Sequence, residues 1–308
     1  MSNSHIRGIL APAVTPFGMD LQPDSTRFIA HCKWLLRSGC HALAVFGTTG
    51  EANSLSVRER KALLDELVSH GVEAGRLLVG TGCCSLSDVA ELTLHAVKAG
   101  CAGVLMLPPF YYKAVTDEGL FRSVSETIER VADNRLRVYL YHIPPVATVG
   151  FSIELIGRLV EAYPGIVIGI KDSSGDWDHT RLLIGAFPGF GVFSGNEFSL
   201  VDNLKYGGCG CITATANVNA FAIRKLFDSW HHDNADMLQQ RVNDTRAILG
   251  RFPMISALKG VISRFRDDEG WRVVRPPLVE LTNHVVEGLL NTLVSQGFVM
   301  PDISGEDE

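Results

Sequence analysis

No hydrophobic run in this chain reaches the roughly 18 residues that a membrane-crossing helix requires. The opening residues MSNSHIRGIL also lack the layout of a secretory leader. No membrane partner is expected, and a soluble, cytoplasmic protein is. Basic clusters are missing too. The 28 basic residues face 34 acidic ones, for a net charge of −6, and none form a Lys/Arg-rich run. Nucleic acid is not expected as a partner. The seven cysteines are Cys32, Cys40, Cys83, Cys84, Cys101, Cys209 and Cys211. They are odd in number, scattered through apolar segments, and lack the paired spacing of a zinc site. Reduced, buried thiols and no metal follow as expectations. Two further motifs are absent. The first strand runs into Val14-Thr15-Pro16-Phe17 rather than a Gly-x-Gly-x-x-Gly turn, which disfavours a dinucleotide site. No Gly-x-Ser-x-Gly elbow exists for a serine hydrolase.

What is present is a long alternation. Short apolar runs at Ile9–Val14, Ala42–Phe46, Leu77–Gly80, Gly103–Leu107, Arg137–Tyr141, Val167–Ile170, Gly191–Ser194 and Gly210–Thr213 read as strands. They are nearly continuous in hydrophobic residues, as in a parallel sheet buried on both faces. Amphipathic stretches at Asp24–Arg37, Ser56–Ser69, Leu86–Ala99, Asp117–Val131 and Ile153–Glu161 read as helices between them. Ser56 with Glu59 forms a capping-box pattern. Eight such units predict an α/β fold, a (β/α)8 barrel of the TIM type. After about Ala220 the alternation gives way to helices, broken near Pro253 and Pro276-Pro277. The expected organisation is a catalytic barrel over 1–222 and a helical extension over 223–308, with a disordered tail from Gly305.

Barrel enzymes work at the C-terminal ends of their strands. Lys171 closes the apolar segment Ile166–Ile170. At such a place desolvation favours a free amine, which can attack a ketone to give an iminium. A lysine reaching solvent, or paired with Asp172, is an equal reading of position alone. Tyr141 ends the neighbouring strand and offers a phenol for proton relay. The turn Gly47-Thr48-Thr49-Gly50-Glu51 offers hydroxyls and backbone amides to a carboxylate, or is an ordinary tight turn. His142 is placed to contact substrate, or is a structural histidine. Tyr111 and Tyr112 follow Pro108-Pro109, and aromatic packing alone would explain them. His231-His232 lies in the helical extension and reads as surface.

Together and in this order, these pieces resemble the dihydrodipicolinate synthase / N-acetylneuraminate lyase family. The likeness runs from about Gly8 to Ala220. It rests on Ala13–Phe17, Gly47–Glu51, Pro109–Tyr112 with Glu118-Gly119-Leu120, Tyr141, Gly150, Gly169–Ser173, Ser194-Gly195, Gly207–Ile212 and Ala216-Asn217-Val218. The resemblance implies a class I aldolase with Lys171 as the Schiff-base lysine and no other cofactor. It makes Tyr141 the central proton relay and Thr48 and Thr49 the carboxylate-binding and relay turn, with Gly47. Tyr112 becomes a tyrosine lent to a neighbouring subunit, with Tyr111 beside it, and Gly195 and Ile212 lie at the substrate. A homotetramer, a dimer of dimers, is implied.

One departure bears on the substrate. Dihydrodipicolinate synthases carry Asn after this tyrosine, and an arginine five residues beyond it that grips the semialdehyde carboxylate. Here His142 and Val146 stand in those places, and valine cannot clamp a carboxylate. The turn also differs from the Gly-Ser-Thr-Gly-Glu of neuraminate lyases. The expected activity is therefore an aldolase or dehydratase acting on a 2-keto acid, a 2-keto-3-deoxy sugar acid first among them, with pyruvate as product or co-substrate. A dihydrodipicolinate synthase with a relocated anchor such as Lys113 is one alternative. A non-catalytic pyruvate-binding barrel is another, and Lys171 and Tyr141 together argue against it.

Overall fold

The structure is a computed structural model that describes residues 6–301. Eight parallel strands close into a barrel in sequence order. They are β1 (Gly8–Ala11), β2 (Ala42–Val45), β3 (Leu77–Gly80), β4 (Gly103–Met106), β5 (Val138–His142), β6 (Val167–Asp172), β7 (Gly191–Ser194) and β8 (Gly210–Ile212). The helices that alternate with them are α1 (Ser25–Arg37), α2 (Val57–Ser69), α3 (Leu86–Lys98), α4 (Asp117–Val131), α5 (Pro144–Ala147), α6 (Ile153–Ala162), α7 (Trp177–Ala186) and α8 (Leu200–Lys205). Then follow α9 (Ala216–Asp228), α10 (Ala235–Leu249), α11 (Met254–Phe265) and α12 (Asn283–Ser295). The (β/α)8 expectation is met. The helical run after residue 220 is present, with Pro253 as the cap of α11.

Strand ends differ from the expected ones for local reasons. β1 stops at Ala11 rather than Val14, because Pro12 has no N–H for the ladder. β5 and β6 run further than expected, to His142 and Asp172. Two extra rungs, Tyr141 with Lys171 and His142 with Asp172, hold them together. The cysteines also depart from expectation. Cys84 is exposed, and Cys83 and Cys101 are half-buried. Cys83 and Cys84 lie past the end of β3, in the loop before α3, where nothing forces them inward.

The chain forms two compact units. One takes the residues up to Gly8 and Glu73–Ile212, hence β3 to β8. Strand alternation sends Tyr139 and Gly169 to one face of this sheet, and Tyr141 and Lys171 to the same face. The wholly buried Tyr139 ring packs 6.0 Å from that of Phe193. Gly169 makes room for it, since a Cβ there would collide with the ring. Burial pushes the Tyr139 phenol up to about 12, so it stays protonated.

The other unit takes Ile9–Val72 and the residues from Thr213 on. Its centre is a saturated amide. Asn217 Oδ1 accepts from Val14 N at 3.0 Å and from His31 Nε2 at 3.0 Å, and its Nδ2 donates to Pro12 O and Ala214 O. Burial, aided by the nearby Arg266, holds His31 at about 3, so the ring is neutral. Its Nδ1 is then free to accept from Arg266 Nη2 at 3.2 Å.

Ser56 caps α2 as the sequence implies. Its Oγ accepts from Glu59 N, and Glu59 Oε2 accepts from Ser56 N at 2.7 Å. The same Glu59 grips Arg275 through both guanidinium nitrogens. The hydrogen bonds from Arg275 draw its carboxyl down from 4.5 to about 2. A depressed carboxyl stabilises the fold above its unfolded value, and loses that contribution as pH falls through its folded one. Glu59→Gln is therefore expected to lower Tm at pH 7. The gap to wild type should close between about pH 4.5 and pH 2. Thermal melts across that range read it, and a gap that persists at pH 2 would exclude the ion pair as its source.

Candidate active site

Lys171 and Tyr141 come together at the C-terminal ends of β6 and β5. They are paired residues of adjacent strands, and their side chains share a face. Lys171 Nζ donates to Tyr141 Oη at 3.3 Å, and lies 4.3 Å from the centre of the same ring. Both side chains are buried, at 5% and 4% exposure. The alternative reading, in which Lys171 reaches solvent or pairs with Asp172, is not met, since the side chain is buried. Asp172 is the next residue, so alternation turns it to the opposite face. Phe193, paired with Lys171, and Ile212, in phase with Gly210 opposite Phe193, share the Lys171 face. Gly195 N donates to Asp172 O at 2.6 Å, which carries the ladder one step beyond β7. A Cβ on Gly195 would fall 2.7 Å from Ser173 Cα, so only glycine lets these strand ends approach.

His142 is not brought to Lys171 and Tyr141. It faces outward with Asp172, and it organises the backs of the two strands. His142 Nδ1 accepts from Phe151 N at 3.0 Å, anchoring the loop that follows α5. Its ring stacks on His179 of α7, with centroids 4.7 Å apart. Asp172 Oδ2 accepts from His179 Nδ1 at 3.1 Å and from Thr180 Oγ1 at 2.6 Å, and Oδ1 accepts from Ser174 N at 3.0 Å. Burial pushes the Asp172 carboxyl up, but these hydrogen bonds outweigh it and hold the group below its usual range. The bond to Asp172 raises His179, whereas burial lowers His142. At neutral pH the cluster thus holds an ionised aspartate, with the neighbouring His142 ring neutral.

His142, Asp172 and His179 are the one group of metal-ligand type found among the described residues. Its geometry suits hydrogen bonding better than coordination. The two rings lie within 22° of parallel, so their in-plane lone pairs do not converge. The Asp172 oxygens are already engaged. The sequence reading missed His179 as a partner, because nothing in a helix opening Trp177-Asp178-His179 marks its ring as facing a strand end.

The Gly47–Glu51 turn ends β2 in the other unit. Thr49 is buried and Thr48 half-buried. Two non-glycine residues flank it in left-handed conformation, Phe46 at φ 57° and Glu51 at φ 54°. Such residues cost free energy and persist where surroundings over-determine them. Glu51 N donates to Thr48 O and Ala52 N to Gly47 O, both at 3.1 Å. Thr15 Oγ1 donates to Gly50 O at 2.7 Å. Among the described residues, and its two chain neighbours apart, none comes within 4 Å of where a Gly47 Cβ would be, so its backbone is approachable.

Tyr111 and Tyr112 stand out on the surface at 73% and 74% exposure, their rings edge to face at 5.3 Å. Val146 lies in α5 and is 65% exposed. Lys113 Nζ donates to Phe110 O and Ala147 O, so it ties its own loop to the end of α5. His231 and His232 are exposed, as expected. A groove of about 810 Å³ elsewhere in the second unit passes Arg27, Trp34, Arg266 and Trp271. None of the sequence-predicted site residues lines it.

With this geometry in place, likeness to known proteins can be judged. The family model described as the dihydrodipicolinate synthetase family matches residues 5–296. A DapA-like lyase of Chloroflexus aurantiacus is 32% identical over 288 residues, 92% of this chain and 94% of that one. The 4-hydroxy-tetrahydrodipicolinate synthase of Agrobacterium fabrum is 30% identical over 300 residues, 96% and 99% of the two chains. The crystal structure of dihydrodipicolinate synthase from Agrobacterium tumefaciens superposes with a TM-score of 0.87 at 33% identity, covering 94% of this chain and 99% of that one. YagE of E. coli K12, a family member solved in complex with pyruvate, gives a TM-score of 0.87 at 26% identity, over 96% and 100%. The chain belongs to the dihydrodipicolinate synthetase family and is a lyase of the class I aldolase type.

Proposed function

We propose that Lys171 forms a Schiff base with a 2-keto acid, and that the enzyme cleaves or dehydrates a 2-keto-3-deoxy sugar acid with no cofactor beyond that lysine. The observation that carries this reading is the buried Lys171–Tyr141 contact of 3.3 Å at the ends of paired strands. An amine so placed attacks the C2 ketone, and the phenol passes the protons that turn the carbinolamine into an iminium and water. In the aldolase course the Tyr141 oxygen takes the C4 hydroxyl proton, the C3–C4 bond breaks, its electrons enter the iminium, and an aldehyde leaves. The resulting enamine takes a proton at C3. Water then releases pyruvate and restores the amine. A dehydratase would expel a hydroxyl from the same family of intermediates. Thr48 and Thr49, with Gly47, take the carboxylate and relay protons. Gly195 and Ile212 line the substrate. His142 acts from behind, as a support for the strand end.

Pyruvate as ligand is supported by its presence in YagE. The sugar-acid preference rests on Val146, which offers no charge at the rim, and on Lys113, whose ammonium is spent on the backbone carbonyls of Phe110 and Ala147. A second reading, condensation of pyruvate with aspartate semialdehyde, is favoured by the names of the Agrobacterium relatives. The exposed Tyr112 completes a neighbouring subunit's site with Tyr111 beside it, within a homotetramer. Two large exposed aromatics on one loop suit an interface.

Borohydride reduction in the presence of pyruvate should leave one adduct, located by peptide mass spectrometry on Lys171 and lost in Lys171→Met. An unmodified Lys171 would remove the mechanism. Tyr141→Phe should lower kcat by roughly 10²- to 10⁴-fold, the range for a lost proton relay. A panel of 2-keto-3-deoxy acids should show turnover, and efficient condensation with aspartate semialdehyde would instead install the second reading. In solution the mass should be that of a tetramer, and Tyr112→Ala should lower activity. A fully active monomer would contradict the shared tyrosine.

A further inference from the structure

We infer that Lys259 is a positioning residue for the carboxylate-binding turn, and that the C-terminal helices hold that turn through it; the inference rests on the turn's proposed role above. α11 is buried on nearly every side from Ser256 to Ser263, and Lys259 is the one charged side chain in that stretch. Its ammonium donates to Glu51 Oε1 at 2.5 Å and to Val273 O at 2.8 Å. Both side chains of the pair have 0% exposure. The second oxygen, Glu51 Oε2, accepts from Arg275 N at 3.1 Å. The ammonium also lies 4.6 Å from the centre of the Phe17 ring, which the Arg275 guanidinium approaches at 4.7 Å. Arg275 further donates to Leu21 O at 2.8 Å and to Ser54 O at 2.5 Å. Lys259 and Arg275 thus grip the turn, Ser54 just after it and the loop after β1.

A dry ion pair is a poor stabilising device. Desolvating both charges cancels much of their attraction, and apolar replacements of equal volume often do as well. Burial indeed pushes Lys259 down to about 8, against the pull of Glu51. What such a pair supplies is geometry, because each charge tolerates only one arrangement of its partner. Here the partner is the residue that closes the turn. Glu51 sits at φ 54°, a conformation a glycine would adopt more easily. It keeps a side chain there, and both oxygens of that side chain are held from the C-terminal region. The backbone of Glu51 fixes Thr48 through its N–H bond, and its carboxylate fixes the backbone. Displacing Lys259 should therefore move Thr48 and Thr49 and weaken the grip on a carboxylate, with the amine of Lys171 left in place.

The test uses the full chain with pyruvate as the probe. Affinity is read by calorimetry, and the extent of borohydride adduct at saturation is read by mass. Lys259→Met should raise the pyruvate Kd at least tenfold, with the saturated adduct yield near that of wild type. Lys259→Met combined with Glu51→Gln removes the unpaired buried carboxylate. It should recover much of the lost Tm and still bind pyruvate weakly. Leu289→Ala, a core truncation in α12, serves as a control that lowers Tm without touching the turn, and its Kd should be unchanged. An unchanged Kd in both Lys259 variants, or the same loss in Leu289→Ala, overturns the inference. The prior reading fails differently. If wild type binds pyruvate and gives no adduct, the Schiff base is lost and the Kd comparison still decides on Lys259. If wild type does not bind pyruvate, both fall.

Discussion

The pairing of Tyr141 with Lys171 across β5 and β6 is the constraint on which the rest of the first unit depends. Parallel register puts the two residues side by side, and the pleat sends both side chains to one face. Their successors, His142 and Asp172, are then obliged to face the other way. A single rung thereby sorts four polar residues into an inner pair, to which the chemistry is proposed to belong, and an outer pair that supports it. A one-residue slip of β6 would exchange the two sets and place an aspartate where the amine now stands. The extra rungs beyond the expected strand ends are what guard against that slip.

The outer set makes the inner one rigid. Asp172 is saturated by His179, Thr180 and Ser174, so α7 is fixed to the strand that carries Lys171. His142 holds the loop that follows Tyr141 by a backbone N–H. Catalytic geometry of this kind is sensitive to displacements of about 1 Å, and side chains held only by a strand end would not meet that demand. The glycines act in the same sense. Gly169 admits the Tyr139 ring, and Gly195 admits the backbone of Ser173. Neither position is chosen for flexibility, and both are chosen for close approach.

Much of this was legible in the sequence because it rests on local periodicity. Continuous apolar runs gave eight buried strands, and caps such as Ser56 with Glu59 gave helix starts. Lys171 at the close of an apolar run could be located, though its partner could not be chosen from position alone. The alternation that excludes Asp172 as that partner was available in principle, since neighbours on a strand cannot share a face. What remained hidden depends on contacts between distant segments. His179 carries no mark of facing a strand end, and Glu51 carries none of its union with Lys259. A lone lysine in the otherwise buried stretch from Ser256 to Ser263 was the one available signal for the latter. The exposure of Cys84 was hidden for a related reason. An apolar-looking residue in a loop has no periodicity to assign it a side.

The two halves of the proposed chemistry rest on different kinds of structure, and this explains why one could be read further than the other. The amine, the phenol and the carboxylate turn sit at strand ends, where ladder, pleat and buried polar bonds leave little freedom. The positions weighed for recognising the rest of the substrate lie on short surface segments, Val146 in the one-turn α5 and Lys113 in the loop before α4. There Val146 is largely exposed, and Lys113 is engaged with backbone carbonyls. Loops tolerate replacement because few buried contacts depend on them, so one barrel supports one kind of bond chemistry on many partners. Val146 is 65% exposed, so its identity matters more to the substrate proposed for the enzyme than to whether the fold can stand.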